Sequence, residues 1–508
     1  MGKYLLGLDA GNTVIKAVLF DLTGHQIASA EENGASLSPQ PGHVERDLVG
    51  LWGQAGTAIK KCIVEAAIDP AGIVGIGCAG HGNGLYLLDQ EEQPLVAIQS
   101  LDARAVKTAE RLSADGNADR LQSLCLQRPW PSQTPTLLAW IKQNDPDLYE
   151  RIGTVFLCKD FVTFKLTGKR STDVTDMSGC GFLKLPENTY SSDILEAYGL
   201  ADAAPLLPPL YQSANVVGTV TAEAASHTGL SEGTPVVGGV FDVVASALGS
   251  GTVDTGQASI IAGTWSINQV VVSEPVVDSD IFMASAFDDN RFLEIEASAT
   301  SAVNLEWFVH ELMKTDSDAL ETSGSSIFDL CNKLVQSVEY TLDLPFFHPY
   351  IYGGATSGNT RGGFYGLSGG HGRAHMLYGL FEGVVFGHRQ HVEKLRRNGI
   401  KIENVILSGG GSRSPVWPQM FADILGVEVS VAEARETGAL GAAITAGIGT
   451  GILSGYRSGV QQMTNIVQTF MPDPAKSKFY ETRYSLFLDI GTAMETVWSR
   501  LEKETLSL

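Results

Sequence analysis

Two apolar, β-prone runs near the start of the chain, one ending at Leu8 and one beginning at Val14, are joined by the tight link Asp9-Ala10-Gly11-Asn12-Thr13. Asn and Gly accept the positive φ of a short turn, so the stretch predicts an antiparallel hairpin. The link is equipped for a phosphate. Gly11 lets a backbone N–H approach an anion closely, Asn12 shares the turn, Thr13 offers a hydroxyl and Lys16 a positive charge. Asp9, at the mouth of the first strand, suits a water-coordinated Mg²⁺. The same residues also suit an ordinary hairpin with a buried Asp.

A second carboxylate, Asp242, follows Gly238-Gly239-Val240-Phe241 and stands alone in a long apolar run. Burying an unpaired carboxylate is costly. This Asp therefore either N-caps the helix that follows or is there for chemistry, and the residues leave both open. Between the two carboxylates lies Gly80-His81-Gly82-Asn83-Gly84. Its glycines predict a loop pressed against a small polar ligand, with His81 and Asn83 as donors and acceptors. The alternative is a strained hairpin with a structural His.

Two decoys can be set aside. Gly75-x-Gly77-x-x-Gly80 fits a dinucleotide fingerprint, which needs a helix opening at its end to meet the pyrophosphate. Here a glycine loop and a second short strand, Leu85–Asp89, follow instead. Gly168-Lys169 is no P-loop, because Thr163 stands where a Gly is required and Arg170 where a Ser or Thr would hold Mg²⁺.

The chain has 508 residues, too many for one core, which predicts two or more domains. Its 35 Lys and Arg against 57 Asp and Glu leave a net charge of −22, which argues against nucleic acid and anionic membrane as partners. An anionic ligand must then be held by a local device such as a glycine loop. The six cysteines include no C-x-x-C pair, so zinc-ribbon and thioredoxin readings fail, and free thiols fit a reducing cytoplasm. Met1-Gly2-Lys3 runs straight into a strand, so no signal peptide is expected. The most membrane-like stretch, 234–251, is broken by Asp242 and rich in Gly, so no membrane span is expected.

The elements that must position these residues are legible in outline. His25–Ala30 reads as a third strand. Asp47 is placed to N-cap a helix in which Leu48, Leu51, Trp52, Ile59 and Ile63 recur at helical spacing. Residues 146–230 read as helices and loops with little chemistry, helical over 160–165 and 191–198. Residues 235–249 read as a buried strand turning through paired glycines into a helix. The pattern then restarts: strand Ala258–Ala262, turn Gly263-Thr264, strand Ser266–Val272. This echo of the first hairpin predicts two domains of like fold facing each other across a cleft. Further on, a glycine-dense loop at 345–367 leads into a long apolar helix at 374–395. A strand then ends in Gly409-Gly410-Gly411, with a helix opening at Trp417. The small residues of 436–443 suit close interdomain packing. The tail reads as one amphipathic helix through Tyr480, Tyr484, Phe487, Trp498 and Leu501.

Taken in this order, the motifs resemble the FGGY carbohydrate kinases of the actin/Hsp70/sugar-kinase superfamily, over roughly residues 4 to 450. Gly362-Gly363-Phe364-Tyr365-Gly366-Leu367, followed by His375, fits the family's second signature. The resemblance implies an α/β chain with two ribonuclease-H-like domains flanking a central cleft, residues 1–249 and 250–508. It implies ATP-dependent phosphorylation of a sugar hydroxyl with Mg²⁺. Asp242 would be the catalytic base. Gly11, Asn12, Thr13, Lys16, Gly263 and Thr264 would hold phosphates, with the metal near Asp9. His81, Gly82, Asn83, Asp102 and Asp242 would meet the sugar. Gly409, Gly410, Gly411 and Ser414 would form the adenosine turn, with Gly410 flat against the base.

The sequence departs from the family in places. Ser100 and Leu137 replace a usual Trp and Lys, Trp265 follows Gly-Thr where Ser is common, Ser414 stands for a frequent Asn, and glutamine is usual at His81. Trp130 could supply the aromatic surface missing at Ser100. The substrate-side stretches look most like the L-xylulose/3-keto-L-gulonate kinase branch, with erythritol kinase and D-xylulokinase as near alternatives. A non-catalytic actin/Hsp70-like nucleotide switch would share both phosphate loops but would not need Asp242 or the loop at 80–84. The expected partners are a small sugar and ATP in the cytoplasm, with no nucleic acid and no membrane; a homodimer is left open.

Overall fold

The computed structural model describes residues 2–277, 279–322, 324–353 and 360–506. The part of the expected glycine-dense loop at 354–359 lies outside the described residues. By packing, the chain forms two compact units, one of Met1–Thr255, Val271–Glu294 and Glu436–Asn465, the other of Gly256–Val270, Ile295–Arg435 and Ile466–Leu508. The break near 255 lies close to the expected 1–249 and 250–508 division, but 271–294 and 436–465 return to the first unit.

The first unit is built on a mixed sheet with the strand order Val216–Thr219, Pro235–Val237, Ile73–Gly80, Tyr4–Ala10, Val14–Asp21, Gln26–Asn33. Tyr4–Ala10 runs antiparallel to Val14–Asp21 and parallel to Ile73–Gly80. The alternation Leu6, Leu8 and Ala17, Leu19 puts one face of the hairpin onto Leu51, Ala55, Ile59 and Cys62 of helix Leu48–Ala66. That helix starts where Asp47 accepts hydrogen bonds from Val49 N (3.1 Å) and Gly50 N (2.9 Å). Truncating Ile59 to Ala in such a core costs about 2–5 kcal/mol.

The other sheet face is covered by helix Thr437–Gly449, whose small residues suggest interdomain packing. It is grouped with the first unit, and glycine is the reason it can lie so close to the sheet. A Cβ on Gly7 would stand 1.8 Å from Ala439 O, and one on Gly77 2.0 Å from Ala442 O. On its other side, a Cβ on Gly441 would stand 1.9 Å from Ala245 O of helix Asp242–Ser250.

The second unit repeats the motif. Gln257–Ala262 runs antiparallel to Ser266–Val272 and parallel to Asn404–Ser408, which pairs in turn with Glu428–Ala432. Helix Arg373–Arg397 is largely buried but less apolar than expected, since Glu382, His388, Arg389 and His391 are among its buried residues; it packs with the tail helix Pro474–Leu506 through a buried ion pair, Arg483 Nε to Glu382 Oε1 at 2.6 Å. No helix of the described residues is long and apolar enough to cross a membrane.

Candidate functional site

The carboxyl ends of parallel strands are where open α/β sheets bind ligands. In the first unit, Tyr4–Ala10, Ile73–Gly80 and Val240–Phe241 all end together: Ala10 pairs with Gly80, and Gly80 with Phe241. Asp9, the phosphate link, the loop at 80–84 and Asp242 therefore share one edge.

The link at 11–13 is held by its backbone. Gly11 O accepts from Arg46 Nη1 (2.9 Å), Asn12 O from Gln99 Nε2 (2.8 Å) and Thr13 O from Gly34 N (2.6 Å). Asn12 Nδ2 donates to Ser100 Oγ at 2.9 Å. The side chain of Thr13 is exposed. Lys16, the cross-strand partner of Asp9, extends its ammonium to Glu436, with Nζ at 3.0 and 2.9 Å from the two carboxylate oxygens. Glu436 occupies the N-cap position of helix Thr437–Gly449. Desolvation, then Glu436, pushes the Asp9 carboxyl up to about 6, with Lys16 pulling the other way.

Asp242 is not the N-cap that one reading of the sequence makes it. Phe241 holds that position, extended at φ −56° and ψ 134°, and its side chain caps nothing; Asp242 is the first helical residue. Its carboxylate takes a backbone hydrogen bond from Val243 and, at the positive end of the helix, meets a favourable dipole. Burial, then the charge of Asp9, nevertheless pushes it up to about 8.

The loop at 80–84 is buried throughout. His81 shares a 2.7 Å hydrogen bond between Nε2 and Tyr86 Oη, and burial holds its imidazole neutral, down at about 3. Asn83 sits at φ +62° with its Oδ1 buried and without a hydrogen-bond partner among the described residues. A Cβ on Gly82 would stand 2.1 Å from the Phe241 ring, so only glycine lets the loop lie on that side chain. Asp102 spends its carboxylate within the protein. Its Oδ1 accepts from Arg104 N (2.8 Å) and Nε (2.9 Å), and its Oδ2 from Val44 N (2.6 Å) and Arg104 Nη2 (2.9 Å). Trp130 is half-buried, its ring 5.9 Å from that of Phe282.

The stretch 146–230, read as poor in chemistry, carries a dense buried charge cluster. Lys159 Nζ lies 2.5 Å from Asp160 Oδ1, 2.8 Å from Asp173 Oδ1 and 3.6 Å from Asp176 Oδ2, all fully buried. Asp176 lies well above the usual carboxylate range because it is desolvated, and Asp242 is among the charges that keep it there. The signal that could have found this group is the pair Lys159-Asp160, which interrupts the apolar pattern of helix Cys158–Thr167.

In the second unit, Gly263-Thr264 forms the hairpin turn, with Ala262 paired to Ser266 and the Thr264 side chain exposed. This turn is one residue shorter than the first, where Ala10 pairs with Ile15. The triple glycine follows strand Asn404–Ser408. Gly409 (φ +81°) and Gly411 press on Ala262, whereas a Cβ on Gly410 would meet nothing within 4 Å. Gly410 opens onto a cavity of about 340 Å³ walled by Leu305, Phe328, Asn332, Ser414 and Trp417. Ser414 Oγ donates to Asn332 Oδ1 at 2.6 Å and accepts from Val416 N and Trp417 N, which steadies the start of helix Trp417–Leu425.

Gly75, Gly77 and Gly80 all lie within or at the end of one strand, and no helix opens after them, so the dinucleotide fingerprint has no structural counterpart.

The N-terminal domain of the FGGY family of carbohydrate kinases matches residues 4–249, and its C-terminal domain matches residues 258–450. The L-xylulose/3-keto-L-gulonate kinase of Escherichia coli is 33% identical over 514 residues, covering 100% of both chains. A probable L-xylulose kinase of Pasteurella multocida is 32% identical, covering 97% of this chain and 100% of the relative. The crystal structure of xylulose kinase from Rhodospirillum rubrum superposes with a TM-score of 0.88 at 26% identity, covering 98% of this chain and 100% of that one.

Proposed function

The chain belongs to the FGGY family of carbohydrate kinases, α/β phosphotransferases with a hydroxyl acceptor and ATP as donor, and we propose that its acceptor is a ketopentose or related keto-sugar, L-xylulose first. The observation that carries the reading is the shared strand edge of the first unit. It gathers Asp9, Lys16, Asp242 and the loop at 80–84 where an open sheet binds its ligand. The full-length similarity to L-xylulose kinases supports the choice of sugar.

Phosphoryl transfer asks a protein mainly to position groups and neutralise charge. In this reading, Asp242 takes the proton of the attacking sugar hydroxyl. His81, Gly82 and Asn83 line the sugar, and Asn83 Oδ1, which has no hydrogen-bond partner among the described residues, is the acceptor for a sugar hydroxyl. Asp102 acts at one remove, by fixing Arg104 and the chain at Val44. In the first unit the Asn12 amide, Thr13 and Lys16 offer phosphate contacts, and Gly11, whose own N–H goes to Val14 O at 3.0 Å, keeps the turn tight; in the second unit Gly263 and Thr264 offer the same chemistry. For Lys16 to hold a phosphate it must share its ammonium with Glu436. The adenosine lies on Gly410, between Gly409 and Gly411, in the cavity that Ser414 helps to wall.

Among the described residues no group of three or more His, Cys, Asp or Glu could hold a metal alone. Mg²⁺ is usually bound by one or two carboxylates, because that ion keeps several waters and takes phosphate oxygens as further ligands. Half-buried Asp9 fits as one such carboxylate, and the ion when bound would neutralise phosphate charge. The six cysteines, all unpaired and buried, support a cytoplasmic setting. The test is an ATP-coupled screen of ketopentoses, keto-acids and polyols, D-xylulose and erythritol included. L-xylulose is expected to turn over fastest. Strong turnover of glycerol or an aldohexose, with no keto-sugar active, overturns the assignment.

A further inference from the structure

Phe241, the residue before the proposed base, is gripped from three directions. Its backbone pairs with Gly80 on the neighbouring strand. Its ring lies between two glycines: a Cβ on Gly82 would stand 2.1 Å from it and one on Gly179 2.7 Å. Its N–H donates to Thr175 Oγ1 at 3.0 Å. That hydroxyl is itself fixed, because it donates its proton to Asp173 Oδ2 at 2.5 Å. Asp173 is the N-cap of helix Val174–Gly179, accepting from Thr175 N at 2.9 Å and from Ser213 Oγ at 2.6 Å, and its other oxygen meets Lys159 Nζ at 2.8 Å. Every member of this chain of contacts is buried.

We propose that Thr175, oriented by Asp173 and Lys159, is a positioning residue for phosphoryl transfer, holding the Phe241 N–H so that Asp242 meets the sugar hydroxyl at the correct angle. The inference rests on the reading of Asp242 as base. Asp173 already caps its own helix, accepting from Thr175 N and Asp176 N. The bond that Thr175 Oγ1 accepts from Phe241 N is of another kind, because it reaches a distant segment and fixes where another helix begins. Its donor lies one residue from the carboxylate that reacts. Misplacing a reacting group by about 1 Å can cost roughly 100-fold, so a hydroxyl that touches no substrate can still set kcat. The same grip ties the loop at 80–84 to Asp242, since Phe241 fills the space beside Gly82.

The test compares Thr175→Val, which keeps the volume and removes the hydroxyl, with Thr175→Ser, which keeps it. Asp242→Asn and the double variant Thr175→Val/Asp242→Asn complete the set, assayed with MgATP and L-xylulose or whichever keto-sugar the screen finds most active. Thr175→Val is expected to lower kcat by roughly 10- to 100-fold, with little change in KM for ATP. Thr175→Ser is expected to restore most of it, and the double variant to be no slower than Asp242→Asn alone. A folded Thr175→Val with normal kcat overturns the proposal, as does a double variant whose losses multiply. Should Thr175→Val not fold, Thr175→Ala is read by the same criteria. Near-normal turnover by Asp242→Asn instead removes the base itself, a failure of the underlying reading that the Thr175 variants alone would not produce.

Discussion

A Cβ added to Gly438 would stand 2.3 Å from Oδ2 of Asp9. The two residues lie far apart in sequence, yet the first turn of helix Thr437–Gly449 touches the carboxylate at the mouth of the first strand. Gly438→Ala must therefore displace Asp9 or the helix. In a folded variant, kcat is expected to fall by about tenfold or more, and the Mg²⁺ concentration for half-maximal rate to rise. An unchanged Mg²⁺ dependence in Asp9→Asn, which alters the carboxylate directly, would show that Asp9 does not hold the ion.

Asp242→Asn separates chemistry from architecture. Phe241, not Asp242, holds the N-cap position, so the helix start does not depend on a side-chain cap from residue 242. General-base catalysis contributes about 10²–10⁴-fold, and kcat is expected to fall by that factor with ATP affinity retained. The thermal midpoint is expected to hold, because the ionised carboxylate is disfavoured where it lies. Steady-state kinetics with calorimetric titration of ATP would decide it, and rapid turnover by the Asn variant would remove Asp242 as base.

Gly410→Val and Gly411→Val are expected to behave differently. The first Cβ meets nothing within 4 Å, so the protein should fold normally while the apparent KM for ATP rises far more than that for the sugar. The second Cβ would stand 2.9 Å from the Ala262 Cβ, so that variant should lose stability. Unchanged ATP affinity in a folded Gly410→Val would move the adenosine elsewhere.

His388 makes stability depend on pH. Buried between Ser301 Oγ (2.7 Å from Nε2) and Asn268 Oδ1 (2.8 Å from Nδ1), it is held neutral, down at about 3. The unfolded chain binds this proton near 6.5 and the folded chain does not, so stability contributed by the neutral ring is complete above pH 6.5. It falls as pH drops toward 3, by about 1.4 kcal/mol per pH unit. Urea unfolding between pH 7 and 4 is expected to show a shallower loss for His388→Gln than for the parent. Parallel curves would mean that His388 is protonated in the folded state.

What the sequence determined by itself was local. The hairpin at 4–21, its echo at 257–272, the capping of helix Leu48–Ala66 by Asp47 and the isolation of Asp242 all follow from residues within a few positions of one another. Turn chemistry, capping and apolar period act at that range, and the order of the motifs carried the family. Tertiary structure decided the partners. Lys16 meets Glu436, 420 residues away, and Asp102 gives its oxygens to Arg104 and Val44. The helix at 437–449 lies on the first sheet, and Thr175 reaches the backbone of Phe241. A buried polar group must find a partner, but its type does not say which; that depends on which segments the core brings within about 3 Å.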